Sequence, residues 1–229
     1  MLEIRRIPAA LFDANCYVTW EGAAGADQPA RALVVDPGPG TAKAVKELLA
    51  SEGVELGAVL LTHGHIDHVW DAAAVTEGTD VSVYIPDPDL FFLEDPAGML
   101  GYSPQDFGLP AWQTPENVTP IKEVSFSPTP DLHVRMIPAP GHSPGSAVFL
   151  FASTGADDPQ AFSGDVVFAG SVGRTDLPRG DEREMQQSLR TLANSVDPAT
   201  TFLPGHGPST VWGHEVRTNP FVRRALKVG

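Results

Sequence analysis

At 229 residues the chain fits one generous domain with room for a proper hydrophobic core. Fifteen basic side chains against 29 acidic ones leave a formal charge of −14, which argues against a nucleic-acid phosphate backbone as partner. A single cysteine, Cys16, excludes an internal disulfide and fits a reducing compartment. The opening Met1-Leu2-Glu3-Ile4-Arg5-Arg6-Ile7-Pro8 has no uninterrupted apolar stretch, so no secretory signal is expected. No apolar run approaches the roughly 20 residues of a membrane helix, and the expectation is a cytoplasmic protein with no membrane partner.

Along the chain, strands are expected around Leu2 to Ile7, Cys16 to Trp20 and Ala32 to Asp36. The last of these runs into Asp36-Pro37-Gly38-Pro39-Gly40, a turn signal that stops any element. Thr41 then reads as a helix N-cap, with Ala44, Val45, Leu48 and Leu49 on one face and Gly53 as the stop. A strand over Ala58 to Leu61 precedes Thr62-His63-Gly64-His65-Ile66-Asp67-His68, and a short helix is expected from about Asp67 to Thr76. Val81 to Ile85 returns as a strand, and further strands are expected at Leu132 to Ile137, Ala147 to Phe151 and Ala161 to Ser163. There is no internal repeat and no linker, so residues 1–229 read as a single domain. Residues 86–123 are rich in proline and carry Phe91, Phe92, Met99, Tyr102, Phe107 and Trp112. They are read either as a cover lending an apolar wall to the site or as packing for outer helices.

Three imidazoles and a carboxylate within six residues are donors suited to a divalent metal such as zinc, iron or manganese. So tight a segment cannot wrap four donors around one ion. His63 and His65 are therefore expected to face one metal, and Asp67 and His68 a second. Gly64 is expected to give the backbone the tight path this needs. Further donors stand in Pro140-Gly141-His142, Ser163-Gly164-Asp165 and Pro204-Gly205-His206-Gly207.

The pattern His-x-His-x-Asp-His followed by a separate His, Asp and His resembles the metallo-β-lactamase superfamily. The run Phe162-Ser163-Gly164-Asp165 through Gly173-Arg174-Thr175-Asp176-Leu177-Pro178 is similar to that of its short glyoxalase II-like hydrolases. The resemblance spans nearly the whole chain, from Asn15-Cys16-Tyr17 to Thr218-Asn219-Pro220-Phe221. It implies an α+β fold, a four-layer αββα sandwich with the metal site at one edge of the sheets. It also implies two divalent metals, zinc with iron or manganese as alternatives. His63, His65 and His142 would hold the first, Asp67, His68 and His206 the second, and Asp165 would bridge. Catalysis would use a metal-bridging hydroxide oriented by Asp67 on a small-molecule thioester. His133 and His214 match nothing in the pattern.

Asp36 resembles a residue that orients a ligand or the metal loop, though an aspartate there also caps turns. Cys16 reads as a buried structural residue. Arg174 stands where glyoxalase II has a lysine that holds glutathione, so it is a candidate substrate-binding residue or else an ion-pair partner of Asp176 or Asp181. An acid replaces the family's tyrosine at position 176, Gly207-Pro208 replaces a Glu-Tyr pair, and no separate helical glutathione-binding domain is expected. The alternative enzyme is a mononuclear iron persulfide dioxygenase, whose family shares Gly-Arg-Thr-Asp. Leu177-Pro178 in place of its phenylalanine, and the missing Asp-Tyr pair after the last histidine, favour the hydrolase. A lactonase or β-lactamase, or a non-catalytic metal-binding protein, ranks lower. The sequence is silent on oligomeric state.

Overall fold

Ala32–Val35 and Ala58–Leu61 are apolar without alternation, the pattern of strands covered on both faces. In the computed structural model, which describes residues 2–22, 29–151 and 159–227, they lie at the centre of a six-stranded sheet. That sheet runs β1 (Leu2–Pro8), β2 (Asn15–Glu21), β3 (Arg31–Val35), β4 (Glu55–Leu60), β5 (Val83–Pro86) and β6 (Val118–Ile121), in that order. β1 to β3 are antiparallel and β3 to β6 parallel. The parallel steps need crossovers, which α1 (Ala42–Glu52) makes between β3 and β4, and α2 (Ile66–Val69) with α3 (Ala72–Thr76) between β4 and β5.

The second half adds β7 (Ser125–Thr129), β8 (Leu132–Pro138), β9 (Ala147–Phe151), β10 (Gln160–Gly164) and a small hairpin of β11 (Val167–Phe168) and β12 (Ser171–Val172). After α4 (Glu182–Ser195) come β13 (Thr201–Pro204), β14 (Thr210–Val211), α5 (Trp212–Thr218) and α6 (Pro220–Lys227). The second sheet is ordered β14-β13-β10-β9-β8-β7. Side-chain alternation explains how the layers stack. Leu33, Val35, Leu60 and Tyr17 point inward against Val134, Phe149 and Phe162 of the second sheet. Val34, Val59 and Val18 point outward to Val45, Leu49 and Val75 of the helical layer. On the far side Ala161 and Phe202 meet Met185, Leu189, Trp212 and Val222. The result is the expected four-layer αββα sandwich, each buried Leu, Val or Phe contributing about 1.5–3 kcal/mol.

Thr41 stands at the N-cap position of α1 but makes no side-chain cap bond, while Gly53, at φ 66°, ends the helix as the sequence suggests. The cap interaction itself is a surprise: Thr41 Oγ1 donates to the Gly38 carbonyl, and the Ala42 amide is satisfied by Asp71 Oδ2 at 2.8 Å. The same Asp71 splits the expected helix of 67–76 in two. Its amide donates to Pro37 O at 2.9 Å instead of continuing the helical ladder, so α2 ends at Val69 and α3 restarts at Ala72. The strand expected from Val81 begins at Val83, whose amide donates to Asn117 O. Residues 86–123 carry three 3₁₀ segments, Asp87–Glu94, Gly98–Leu100 and Pro104–Phe107, joined by irregular chain before β6. Among the described residues no helix is long and apolar enough to cross a membrane.

Candidate metal centre

Both sheets end at one edge, and every residue singled out from the sequence except His133 and His214 comes near it. Asp36 follows β3, His63 and His65 follow β4, and Asp67 and His68 lie in α2. His142 sits in the β8–β9 turn, Asp165 just beyond β10, Arg174 beyond β12 and His206 beyond β13. His65 Nδ1 lies 2.8 Å from His142 Nε2, and the rings of His63 and His142 are 4.9 Å apart. His206 Nε2 is 3.1 Å from Asp67 Oδ2, and His68 Nε2 is 3.5 Å from the same oxygen. Donor atoms of His63, His65 and His142 form one cluster and those of Asp67, His68 and His206 another, and a third group of Asp36, His63 and His68 overlaps both. Asp165 touches both, with Oδ1 3.4 Å from His68 Nε2 and Oδ2 3.5 Å from the Nε2 atoms of His142 and His206.

A buried polar atom without a partner costs about 1–3 kcal/mol, so several in one place require an explanation. His63 Nε2, His65 Nε2, His68 Nε2 and Asp165 Oδ1 are all buried without a hydrogen bond. His68 Nε2 and Asp165 Oδ1 face each other at 3.4 Å, and imidazole and carboxylate are the donor set of zinc or iron. These residues therefore fit a metal centre and form clusters able to hold metal ions.

Charge follows the same division. Burial, then the neighbouring imidazoles, holds His63 well below the ordinary histidine value, and burial with His142 lowers His65 to about 3. Burial also opposes the charged form of His68, but Asp67, Asp165 and Asp36 outweigh it and raise that histidine well above the ordinary value. For Asp67 burial acts upward, yet His68 and His206 pull the carboxyl well below its usual range. A neutral pair thus sits beside an anion-rich cluster.

Other side chains hold these donors in place. Asp36 adopts φ 50°, and its carboxylate accepts from Thr62 N and Thr62 Oγ1, both at 2.7 Å, while contacting His68 Nδ1 at 3.0 Å. Asn15 Nδ2 donates to Pro204 O and Gly207 O, and Tyr17 Oη to Pro204 O, each at 2.9 Å, so two residues of β2 hold the His206 loop. The fully buried Asp89 was not legible beforehand. It is one aspartate among several in a proline-rich stretch, and its partners at Gly64, Ser143 and Gly145 become neighbours only through the fold. Burial pushes its carboxyl upward against the lowering effect of those three hydrogen bonds. Gly64 is required for a different reason than a tight turn. Its backbone is not left-handed, but a Cβ there would sit 2.5 Å from Phe92 Cβ.

A cavity of about 440 Å³ opens onto His65, Asp67, His142, Asp165 and His206. Phe12, Ile66, Leu100, Tyr102, Phe168, Val172 and Leu177 supply apolar walls, and Arg174 stands at the rim. Leu100 and Tyr102 give the 86–123 segment its part of the wall, while Phe92 and Trp112 pack against Ile66 and Trp70, so both expected roles are filled. Arg174 forms a two-point ion pair with Asp176 at 2.7 and 2.8 Å, with both side chains exposed. His133 contacts Ser127 and His214 lies exposed on α5, away from the two clusters. Cys16 is fully buried, and its thiol is pushed upward chiefly by burial, then by Asp36.

The profile of the metallo-β-lactamase superfamily matches residues 11–206, and the chain belongs to that superfamily. It is 32% identical over 230 residues to the hydroxyacylglutathione hydrolase GloC of Haemophilus influenzae, covering 96% of this chain and 98% of that one. Among solved structures, the BLEG-1 B3 metallo-β-lactamase superposes with a TM-score of 0.76 at 32% identity, covering 96% of this chain and 99% of the other. TTHA1623, solved in a di-iron-bound form, gives 0.74 at 34% identity, over 95% and 99%. The protein is thus a metallohydrolase-superfamily member with a metal-capable centre.

Proposed function

We propose that the protein is a binuclear metal-dependent hydrolase of small thioesters, similar in activity to hydroxyacylglutathione hydrolase. The observation that carries this reading is the Asp165 carboxylate reaching both donor clusters, Oδ1 toward His68 and Oδ2 toward His142 and His206. His63, His65 and His142 would hold one divalent cation and Asp67, His68 and His206 the other, zinc or iron, with Asp165 between. When bound, the pair supplies a water of pKa lowered to about 7 and a Lewis acid for the substrate carbonyl.

The chain's own residues do the rest. Asp67 Oδ2 is turned to His206 and His68, which leaves Oδ1 to accept a hydrogen bond from the nucleophile and aim it. Its low pKa keeps it a carboxylate and an acceptor at neutral pH. Ile66, Leu100, Phe168 and Leu177 exclude water and take the acyl chain. Arg174 offers a cation at the rim to an anionic thiol carrier, and Asp176 fixes its guanidinium plane. The GloC relative supports the thioester, and BLEG-1 is the reason to test a β-lactam beside it.

The test is to purify the protein without added metal, count metals by mass spectrometry, and assay S-lactoylglutathione, a cephalosporin and glutathione persulfide. Two metals per chain with thioester turnover are expected. One iron with oxygen uptake on the persulfide would instead make the protein a dioxygenase. β-Lactam opening without thioester turnover would make it a lactamase.

A further inference from the structure

Two loops from opposite sheets must meet for His63 and His65 to face His142, and besides the backbone bond from Ala147 N to Thr62 O at 3.3 Å a side chain ties them. The connection runs through Asp89, in the 3₁₀ turn Asp87–Glu94. Its Oδ2 accepts from Gly64 N at 2.8 Å, between the first two histidines, and from Ser143 Oγ at 2.6 Å, next to the third. Its Oδ1 accepts from Gly145 N at 2.6 Å. Ser143 Oγ in turn lies 2.7 Å from Ser146 Oγ, so the His142 turn is closed around the same carboxylate. The approach is as close as chemistry permits: a Cβ at Gly145 would fall 2.6 Å from Asp89 Cγ. Three residues on, Phe92 packs on Gly64 and sets its ring edge-on to His65, with centroids 5.1 Å apart. The second donor cluster uses none of this. Its fastening is Asp36 on His68 and Asn15 on the His206 loop, and Asp36 also reaches the first cluster through Thr62, whose Oγ1 lies 3.1 Å from His63 Nδ1.

We propose that Asp89 is a positioning residue of the His63–His65–His142 site alone, so that this site can be weakened without the other, whereas Asp36 serves both. The proposal rests on the binuclear reading above. Asparagine at 89 keeps the volume but must point its amide N–H₂ at a backbone N–H, either Gly64 or Gly145, and one fastening fails. Loss of such a supporting partner typically weakens a metal site about 10–100-fold.

Chelator competition on the full chain loaded with zinc measures this without reference to turnover. Asp89→Asn should keep one zinc at wild-type affinity and weaken the other at least about tenfold. In a His206→Ala background the same change should weaken the zinc that remains, and in a His63→Ala background it should have no effect. Unchanged affinity at both sites, equal weakening of both, or a loss that persists in the His63→Ala background would each overturn the proposal. Should Asp89→Asn fail to fold by circular dichroism, Ser143→Ala removes one of the three donors. It should weaken the same site by a smaller factor, and no weakening there would be equally fatal. Fewer than two zinc ions on the wild-type chain would defeat the binuclear reading instead, because the Asp89 result is a ratio of variant to wild type.

Discussion

Arg174 pairs with Asp176 beside the cavity, and the ion-pair and substrate-binding readings predict different outcomes for it. Its ion pair with Asp176 lies in solvent, where such pairs add little to stability, and the hydrogen bonds from Arg174 lower Asp176 to about 2. A structural pair of this kind would leave its mark on folding, and a substrate contact would leave it on binding. Arg174→Ala is expected to leave the urea midpoint unchanged. It should raise KM several-fold for a thioester with an anionic carrier, with little change for a neutral one. Equal KM effects on both substrates would remove the binding role. The four donors of 63–68 were legible from their types and spacing, and His142, Asp165 and His206 through the resemblance to the superfamily. Asp89 and Asn15 were not, since nothing in a lone aspartate or asparagine says which backbone it will meet.

At the scale of elements, the donors depend on how closely loops approach. Gly205 shows this: a Cβ there would sit 2.1 Å from Asp165 Oδ1 and 2.7 Å from His68 Cε1. Gly207, two residues on, has φ 76° and open space around its Cα. Gly205→Ala should therefore displace the bridging carboxylate and lower the metal count, while costing about 1–3 kcal/mol. Gly207→Ala should cost about 1–2 kcal/mol of backbone strain and keep both metals. Urea unfolding and metal analysis of the pair would check this, and equal metal counts in both variants would refute it. The splitting of the 67–76 helix belongs to the same scale. Periodicity indicated helical residues, but it could not show that Asp71 would serve α1 and Pro37 in preference to its own ladder.

For the whole molecule, the centre is a store of opposed proton affinities. His65 in the folded metal-free chain falls from 6.5 to about 3, and His63 is also lowered. As pH drops below about 6.5 the unfolded chain takes up protons that these two refuse, so stability falls on the acid side. His68 and His206 are raised, so their contribution is complete below 6.5 and is lost as pH rises through their folded values. Chelator-treated protein is expected to show a urea midpoint that peaks near pH 6.5 and declines on both sides. A monotonic profile from pH 4 to 9 would contradict the described charge arrangement. Residue types and their order were sufficient for β1 to β5 and β8 to β10 and for the stop signals at Gly38 and Gly53, because each depends on local backbone preference. The short strands β6, β7 and β11 to β14 were not legible, and the full donor set came from the family resemblance. That Asp89 joins the Gly64 loop to the His142 turn, that Asn15 holds the His206 loop, and that Asp71 interrupts its own helix depended on tertiary structure. Those relations join residues 25 to 192 positions apart, and chain folding alone sets such distances.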